Sequence, residues 1–349
     1  MVKIGIIGTG GMAGHQAGCF AQIKTCRIVA CADTVPGRAA AFAEKHGIAS
    51  AYEDAREMLD REKLDGVTVV TPDIAHCRPV LEVVKRGIHC MCEKPLADNL
   101  KDARRMAAAA KRKGILTAVN FSYRNSAATQ KAAQLVASGK IGRVIHVEGN
   151  YLQSWLVSRG WGDWSKTEAL LWRLSTRHGS LGCLGDIGVH LYDFVTFIAG
   201  DISEIQCNLQ TFDKPVNRIG EYVFDANDSF VSTVRFKNGA LGTLSSSRWA
   251  TGHPNTVAMR AYGDKGAIDL NLDRPPEDQL RICVGRKAID TSQWKPVKCP
   301  ATPDMYRRFI TAIRTGKQGQ TTFQGAARVQ AYLDASVRSS ETGTYIRIR

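Results

Sequence analysis

The chain has 349 residues, 44% of them hydrophobic and 23% charged, and its 47 Lys and Arg outnumber its 33 Asp and Glu to give a net charge of +14. This composition is globular, which excludes a disordered or collagen-like chain. The length suits two domains of roughly 150 residues each, and no apolar run approaches the roughly 18 residues of a membrane span. The basic residues are scattered, so the charge reads as a solvated surface. No helical pattern interleaves Lys and Arg with aromatics, so no nucleic-acid partner is expected. The N-terminal run lacks the long apolar core and cleavage site of a secretory signal. The ten cysteines form no C-x-x-C pair, so reduced thiols in a cytoplasmic protein are expected.

In chain order, Val2–Ile7, Ile28–Ala32, Gly66–Val70, Ile88–Cys92 and Leu116–Phe121 are short apolar runs of strand length. Helical period fills the gaps. One helix starts near Pro36 and ends before Gly47; in another, Ile74, Cys77, Val80, Leu81 and Val84 share a face and Gly87 closes it. A third runs from Asn99 through Ala107–Ala110 to Gly114. Strands alternating with helices predict a parallel sheet covered on both faces. After Tyr123 the rhythm changes. A helix over Ala127–Ser138 leads to a strand near Arg143–Tyr151, a Trp-rich connection, and a helix over Asp186–Ala199. Strands then dominate Ile205–Val284, with turn signals at Lys237-Asn238-Gly239 and Gly263-Asp264-Lys265-Gly266, before helices at Pro303–Thr315 and Gln324–Ser340. The expected fold is α/β: a doubly wound parallel sheet over residues 1–123, then an α+β domain over 124–349 on a large, mostly antiparallel sheet.

Gly8-Thr9-Gly10-Gly11-Met12-Ala13 is a G-x-G-x-x-A turn between strand and helix. Glycine there lets the backbone approach a pyrophosphate, which the helix N-terminal N–H groups then hold. Asp33 ends the second strand about 20 residues later, where a carboxylate binds ribose hydroxyls. The pair predicts a Rossmann domain. A carboxylate at Asp33 favours NAD, and Arg38 one turn on leaves room for the extra phosphate of NADP. Thr71 and Pro72 end the third strand and His76 follows, at the carboxyl ends of the strands where cofactors lie; His76 reads equally as a plain first-turn residue.

Glu93-Lys94-Pro95 follows the fourth strand, and a lysine there can donate a hydrogen bond to a reacting hydroxyl. Strand alternation separates His89 from Cys90 and Cys92, so no metal is expected. Asp186 and His190 stand four apart on a predicted helix with Gly185 and Gly188 between and beside them. An imidazole beside a carboxylate suits a base for a hydroxyl proton, while a capping aspartate with a core histidine is the plain alternative. Trp155, Trp161, Trp164 and Trp172 are four of the six tryptophans within 18 residues. Such a cluster suits stacking on sugar rings or ordinary packing.

Together these motifs resemble the Gfo/Idh/MocA family, the glucose–fructose oxidoreductase, inositol dehydrogenase and rhizopine catabolism group, over essentially the whole chain. The resemblance implies a second domain whose open sheet mediates a homodimer or homotetramer. It implies sugar or polyol substrates and catalysis by Lys94, Asp186 and His190. It places the cofactor on Gly8, Gly10, Gly11, Met12, Asp33, Arg38, Thr71, Pro72, His76, Glu93 and Lys94. It places the substrate on Asn120, Tyr123, Gln153, Trp155, Trp172, Arg173, Asp186 and His190. Tyr151–Trp155 with Trp172-Arg173 resembles the branch that oxidises ring hydroxyls of sugars and anhydrosugars. Ser154 departs from that branch's acidic residue, and Ser175–Cys183 from its glycine-rich form. A dehydrogenase is therefore expected; an NAD-dependent glycoside hydrolase and a non-catalytic nucleotide sensor are the alternatives on the same fold.

Overall fold

A computed structural model describes residues 1–178 and 181–348. The chain divides into two compact units, Met1–Ser122 with Pro303–Gln330, and Tyr123–Thr302 with Ala331–Arg349.

In the first unit the strands are β1 (Val2–Ile7), β2 (Cys26–Ala32), β3 (Ser50–Tyr52), β4 (Gly66–Val69), β5 (His89–Cys92) and β6 (Thr117–Val119). They form one sheet in the order β3-β2-β1-β4-β5-β6, parallel throughout. The order reverses between β1 and β4, and the crevice outside the strands' carboxyl ends at that point is where such sheets bind ligands. The crossovers are α1 (Gly11–Ala21), α2 (Arg38–His46), α3 (Ala55–Arg61), α4 (Cys77–Lys85) and α5 (Leu100–Lys113). Local chemistry sets their ends: Asn99 caps α5 by accepting from Asp102 N–H, and Gly114 stops it at a φ of +69°. Missing from the expectation are β3 and α3, a three-residue edge strand and a seven-residue helix, both shorter than periodicity resolves.

The second unit contains α6 (Ala127–Ala137), β7 (Val144–Leu152), α7 (Glu168–Leu171) and α8 (Val189–Ala199). Its later strands are β8 (Ile202–Gln210), β9 (Arg218–Ile219), β10 (Tyr222–Val223), β11 (Ser229–Phe236), β12 (Leu241–Ser247), β13 (Thr256–Gly263), β14 (Gly266–Asn271) and β15 (Leu280–Val284). Next along the chain come α9 (Arg286–Asp290), β16 (Lys295–Pro296), α10 (Met305–Thr315), α11 (Phe323–Thr342) and β17 (Ile346–Arg347), of which α10 and the start of α11 lie in the first unit. Nine strands build one sheet, β16-β15-β14-β13-β7-β12-β11-β8-β17. Only the β7–β12 pair is parallel among those described. Both predicted turns join antiparallel neighbours, β11 to β12 and β13 to β14.

One expectation needs correcting. Residues 124–349 do not all cluster together, because α10 and the start of α11 belong to the first unit. Met305, Tyr306, Phe309 and Ile310 on one face of α10 share a core with Val2, Ile4 and Phe20. Periodicity shows that α10 has an apolar face, but not which sheet that face covers.

Candidate functional site

The nucleotide half lies in the first unit. Gly8 follows β1 at a φ of +90°, and a Cβ there would come within 2.8 Å of the Val70 carbonyl and the Thr71 nitrogen. Only glycine permits both the conformation and this approach of the two loops. Gly10 caps α1, and the space where a Cβ would stand on Gly10 or Gly11 is open to 4 Å. The first N–H groups of α1, which have no partner within their own helix, lie beside this open space. A cavity of about 450 Å³ adjoins it, lined by Thr9, Gly10, Gly11, Arg38, Lys45 and His46 among others. Thr71 Oγ1 is buried with no hydrogen-bond partner among the described residues. An open cradle and an unsatisfied hydroxyl at the switch point fit a dinucleotide, which supplies phosphates for the first and acceptors for the second.

Asp33 is fixed at the tip of β2. Its carboxylate accepts from Thr9 N–H at 2.8 Å, Thr9 Oγ1 at 2.9 Å and Val35 N–H at 2.9 Å, with Arg38 at 3.7 Å. Burial opposes its charge, but the Val35 and Thr9 hydrogen bonds and the Arg38 guanidinium together hold its pKa below the usual carboxylate value. Thr9, which sequence reasoning passed over, orients this group. Met12 is an exposed side chain on the first turn of α1.

The structure changes the roles of His76 and Glu93. His76 is buried, with Nδ1 2.9 Å from the Pro95 carbonyl and Nε2 2.8 Å from that of Thr71. Each ring nitrogen faces the carbonyl of a different loop, and whichever carries the proton donates to it, so the side chain is a brace rather than a group offered to a ligand. Glu93 is likewise buried: Oε1 accepts from Gln16 Nε2 at 2.6 Å and Asn120 Nδ2 at 2.7 Å. Gln16 accepts in turn from Thr68, and Asn120 Nδ2 also donates to the Tyr306 hydroxyl. Lys94 follows this bracket directly, so its backbone is anchored by Glu93 on one side and by the Pro95 carbonyl on the other. Pro72 starts the turn that leads to His76.

The second unit holds the other predicted groups. Leu184–Gly188 forms a π-turn before α8 rather than the α-helical turn expected, so Asp186 and His190 do not stand in plain α-helical i, i+4 register. The close neighbours of its glycines are the protein's own side chains, Leu181 at Gly185 and Phe230 at Gly188. His190 is 8% exposed. The Tyr123 ring stands edge-on to it, 5.2 Å between centroids, with Tyr151 at 6.4 Å. The two phenols share a hydrogen bond of 2.6 Å, and Tyr151 donates to Asn255 Oδ1, which also accepts from Gln153 Nε2. Burial pushes the pKa of both phenols up. Asn255 lies on an exposed turn and was not foreseen.

Asp186 meets two guanidiniums through one oxygen: Oδ2 lies 3.3 Å from Arg173 Nε and 3.0 Å from Arg248 Nη2. Arg248 was also unforeseen. The tryptophans disperse. Trp155 is 1% exposed, its indole N–H donating to Gln153 Oε1 and its ring facing the Arg248 guanidinium. It is therefore a core residue and not a sugar platform. Trp164 packs against the same cluster, whereas Trp161 and Trp172 are exposed, the latter under Arg173. Gly179 and Ser180, in the stretch that departs from the glycine-rich pattern, lie outside the described residues.

Known proteins give a consistent context. Residues 2–121 match the model of an oxidoreductase family with an NAD-binding Rossmann fold, and residues 129–269 match the GFO/IDH/MocA C-terminal domain. The chain is 30% identical to D-glucoside 3-dehydrogenase of Escherichia coli over 99% of its own length and 97% of that protein. It is 28% identical to levoglucosan dehydrogenase of Pseudarthrobacter phenanthrenivorans over 78% of this chain and 72% of that one. A solved levoglucosan dehydrogenase in complex with NADH and levoglucosan superposes with a TM-score of 0.84 at 26% identity, covering 99% of both chains.

Proposed function

This chain belongs to the Gfo/Idh/MocA family of oxidoreductases, and on that premise we propose that Lys94, Asp186 and His190 oxidise a secondary ring hydroxyl of a sugar, anhydrosugar or cyclic polyol. The enzyme is an NAD(P)-dependent dehydrogenase of the sugar and polyol type. Its cofactor would be held by Gly8, Gly10, Gly11, Thr71 and Pro72 at its phosphates and by Asp33 at a ribose, with Arg38 beside it. When bound, the nicotinamide supplies the hydride acceptor.

His190 takes the hydroxyl proton. Lys94 donates a hydrogen bond to the same oxygen and stabilises the negative charge that develops there. Asp186 accepts a hydrogen bond from a neighbouring hydroxyl and so fixes the ring. The observation that supports this reading most is the setting of His190: a nearly buried imidazole walled by hydroxyl-bearing rings, on the same segment as a carboxylate already neutralised by arginine. Tyr123, Asn255 and the exposed Trp172 supply polar and apolar faces for a polyhydroxylated ring. The likeness to proteins named D-glucoside 3-dehydrogenase and levoglucosan dehydrogenase supports cyclic sugars as substrates.

The partner in solution is a second copy of the chain, docked through the outward face of the nine-stranded sheet. Val231 and Leu241 are exposed on that face, beside charged pairs such as Arg260–Glu148 and Arg260–Asp269. Ten free thiols suit a reducing cytoplasm. No described helix is long and apolar enough to cross a membrane.

Incubation of the protein with NAD or NADP and a panel of glucosides, anhydrosugars and inositols tests the reading. At least one compound should yield a ketosugar or inosose and reduced cofactor in equal amounts. Release of an aglycone without net reduced cofactor would point to glycoside hydrolysis, and no turnover with any compound would contradict dehydrogenation.

A further inference from the structure

Arg248 is wholly buried, and a guanidinium without water must find its counter-charge and hydrogen bonds inside the protein. Nη1 donates to the Arg173 carbonyl at 2.9 Å; Nη2 donates to the Gly182 carbonyl at 3.2 Å and to Asp186 Oδ2 at 3.0 Å. The face of the group lies 5.0 Å over the Trp155 ring. These contacts fix the ends of the loop between Arg173 and Gly182 and the π-turn that carries Asp186. They also continue toward the base: Trp155 donates to Gln153, Gln153 to Asn255, and Asn255 accepts from Tyr151, whose hydroxyl meets that of Tyr123 beside His190. Asp228, whose carbonyl accepts from the Arg248 backbone N–H at 2.9 Å, has its carboxylate taken up by Lys214 at 2.7 Å.

We propose, resting on the dehydrogenase reading, that Arg248 is a positioning residue: with Arg173 it holds the Asp186 carboxylate in the orientation that accepts a hydroxyl of the sugar ring. The clamp acts on the π-turn Leu184–Gly188 that carries Asp186. Arg248 itself touches neither substrate nor reacting atoms. Its effect on the reaction passes through Asp186.

A double-mutant cycle separates this role from simple packing. Arg248→Lys keeps the charge but loses the fork geometry, and is expected to raise the sugar KM about tenfold with kcat within about threefold. Asp186→Asn raises KM by itself, and adding Arg248→Lys to it should change KM by less than about twofold. NADH affinity, read by fluorescence titration, should stay at the wild-type value in all three. A wild-type KM in Arg248→Lys, or effects that multiply with Asp186→Asn, would overturn the proposal. Should Arg248→Lys not fold, Arg173→Gln, whose side chain is partly exposed, carries the same cycle with the same outcomes. If the wild-type protein oxidises none of the sugars, the dehydrogenase reading fails by itself. The clamp is then decided by melting temperatures of Arg173→Gln, Asp186→Asn and the double variant, where additivity would refute it.

Discussion

Replacing Lys94 by alanine lowers kcat by roughly 10²–10⁴, the usual worth of a positioned proton-transfer or hydrogen-bonding group, and leaves NADH affinity unchanged. The segment around Lys94 explains why the loss should be confined to chemistry. Glu93 is tied to Gln16 and Asn120, and the Pro95 carbonyl is tied to His76. Both neighbours have these hydrogen bonds of their own. Truncation therefore removes a charge and a donor and leaves the loop in place. Stopped-flow or steady-state kinetics with the best sugar, together with a fluorescence titration of NADH, measure the two quantities separately. Turnover within about threefold of wild type would remove Lys94 from the reaction.

His190→Gln gives the second large effect, again a loss of roughly 10²–10⁴ in kcat. Glutamine keeps a polar side chain of similar reach but cannot take a proton. The phenols of Tyr123 and Tyr151 stand beside the imidazole, 5.2 and 6.4 Å away between ring centroids. Burial, and for Tyr151 its neighbour Tyr123, pushes both above the ordinary tyrosine value. They stay protonated at neutral pH and cannot act as the base. The variant should also keep its melting temperature within a few degrees, since the imidazole lies at the edge of the core. Activity close to wild type would mean that the proton leaves by another route.

How far these assignments were legible depends on whether each signal was local. The turn Gly8–Ala13, the end of β2 at Asp33 and the caps Asn99 and Gly114 are written in a few adjacent residues, and the structure has them where the spacing put them. The nine-stranded sheet was visible as strands and turns, but its order was not, since strand pairing across many residues leaves no local mark. Allegiance failed for the same reason at α10, whose apolar face names no partner. Trp155 misled because clustering in sequence says nothing about which face of a loop a ring takes.

His76 and Glu93 show a related limit: their types suit a ligand site, yet their partners are backbone carbonyls and a buried amide pair brought together only by folding. Arg248 was in reach. Gly242, Leu244 and Ser246 alternate inward along β12, and Arg248 continues that phase. An arginine on the inward phase of a strand calls for a buried acid, and the segment before α8 offers Asp186.

The central claim is that this chain moves a hydride from a ring carbon while its own side chains manage the hydroxyl proton. The most direct measurement uses the best sugar of the panel, deuterated at its ring carbinol positions, with mass spectrometry of the reduced cofactor. Deuterium should appear on the nicotinamide ring in an amount equal to the ketosugar formed, with a slower rate for the labelled carbon. Reduced cofactor that carries no deuterium, or label lost to water with no ketosugar made, would contradict the account.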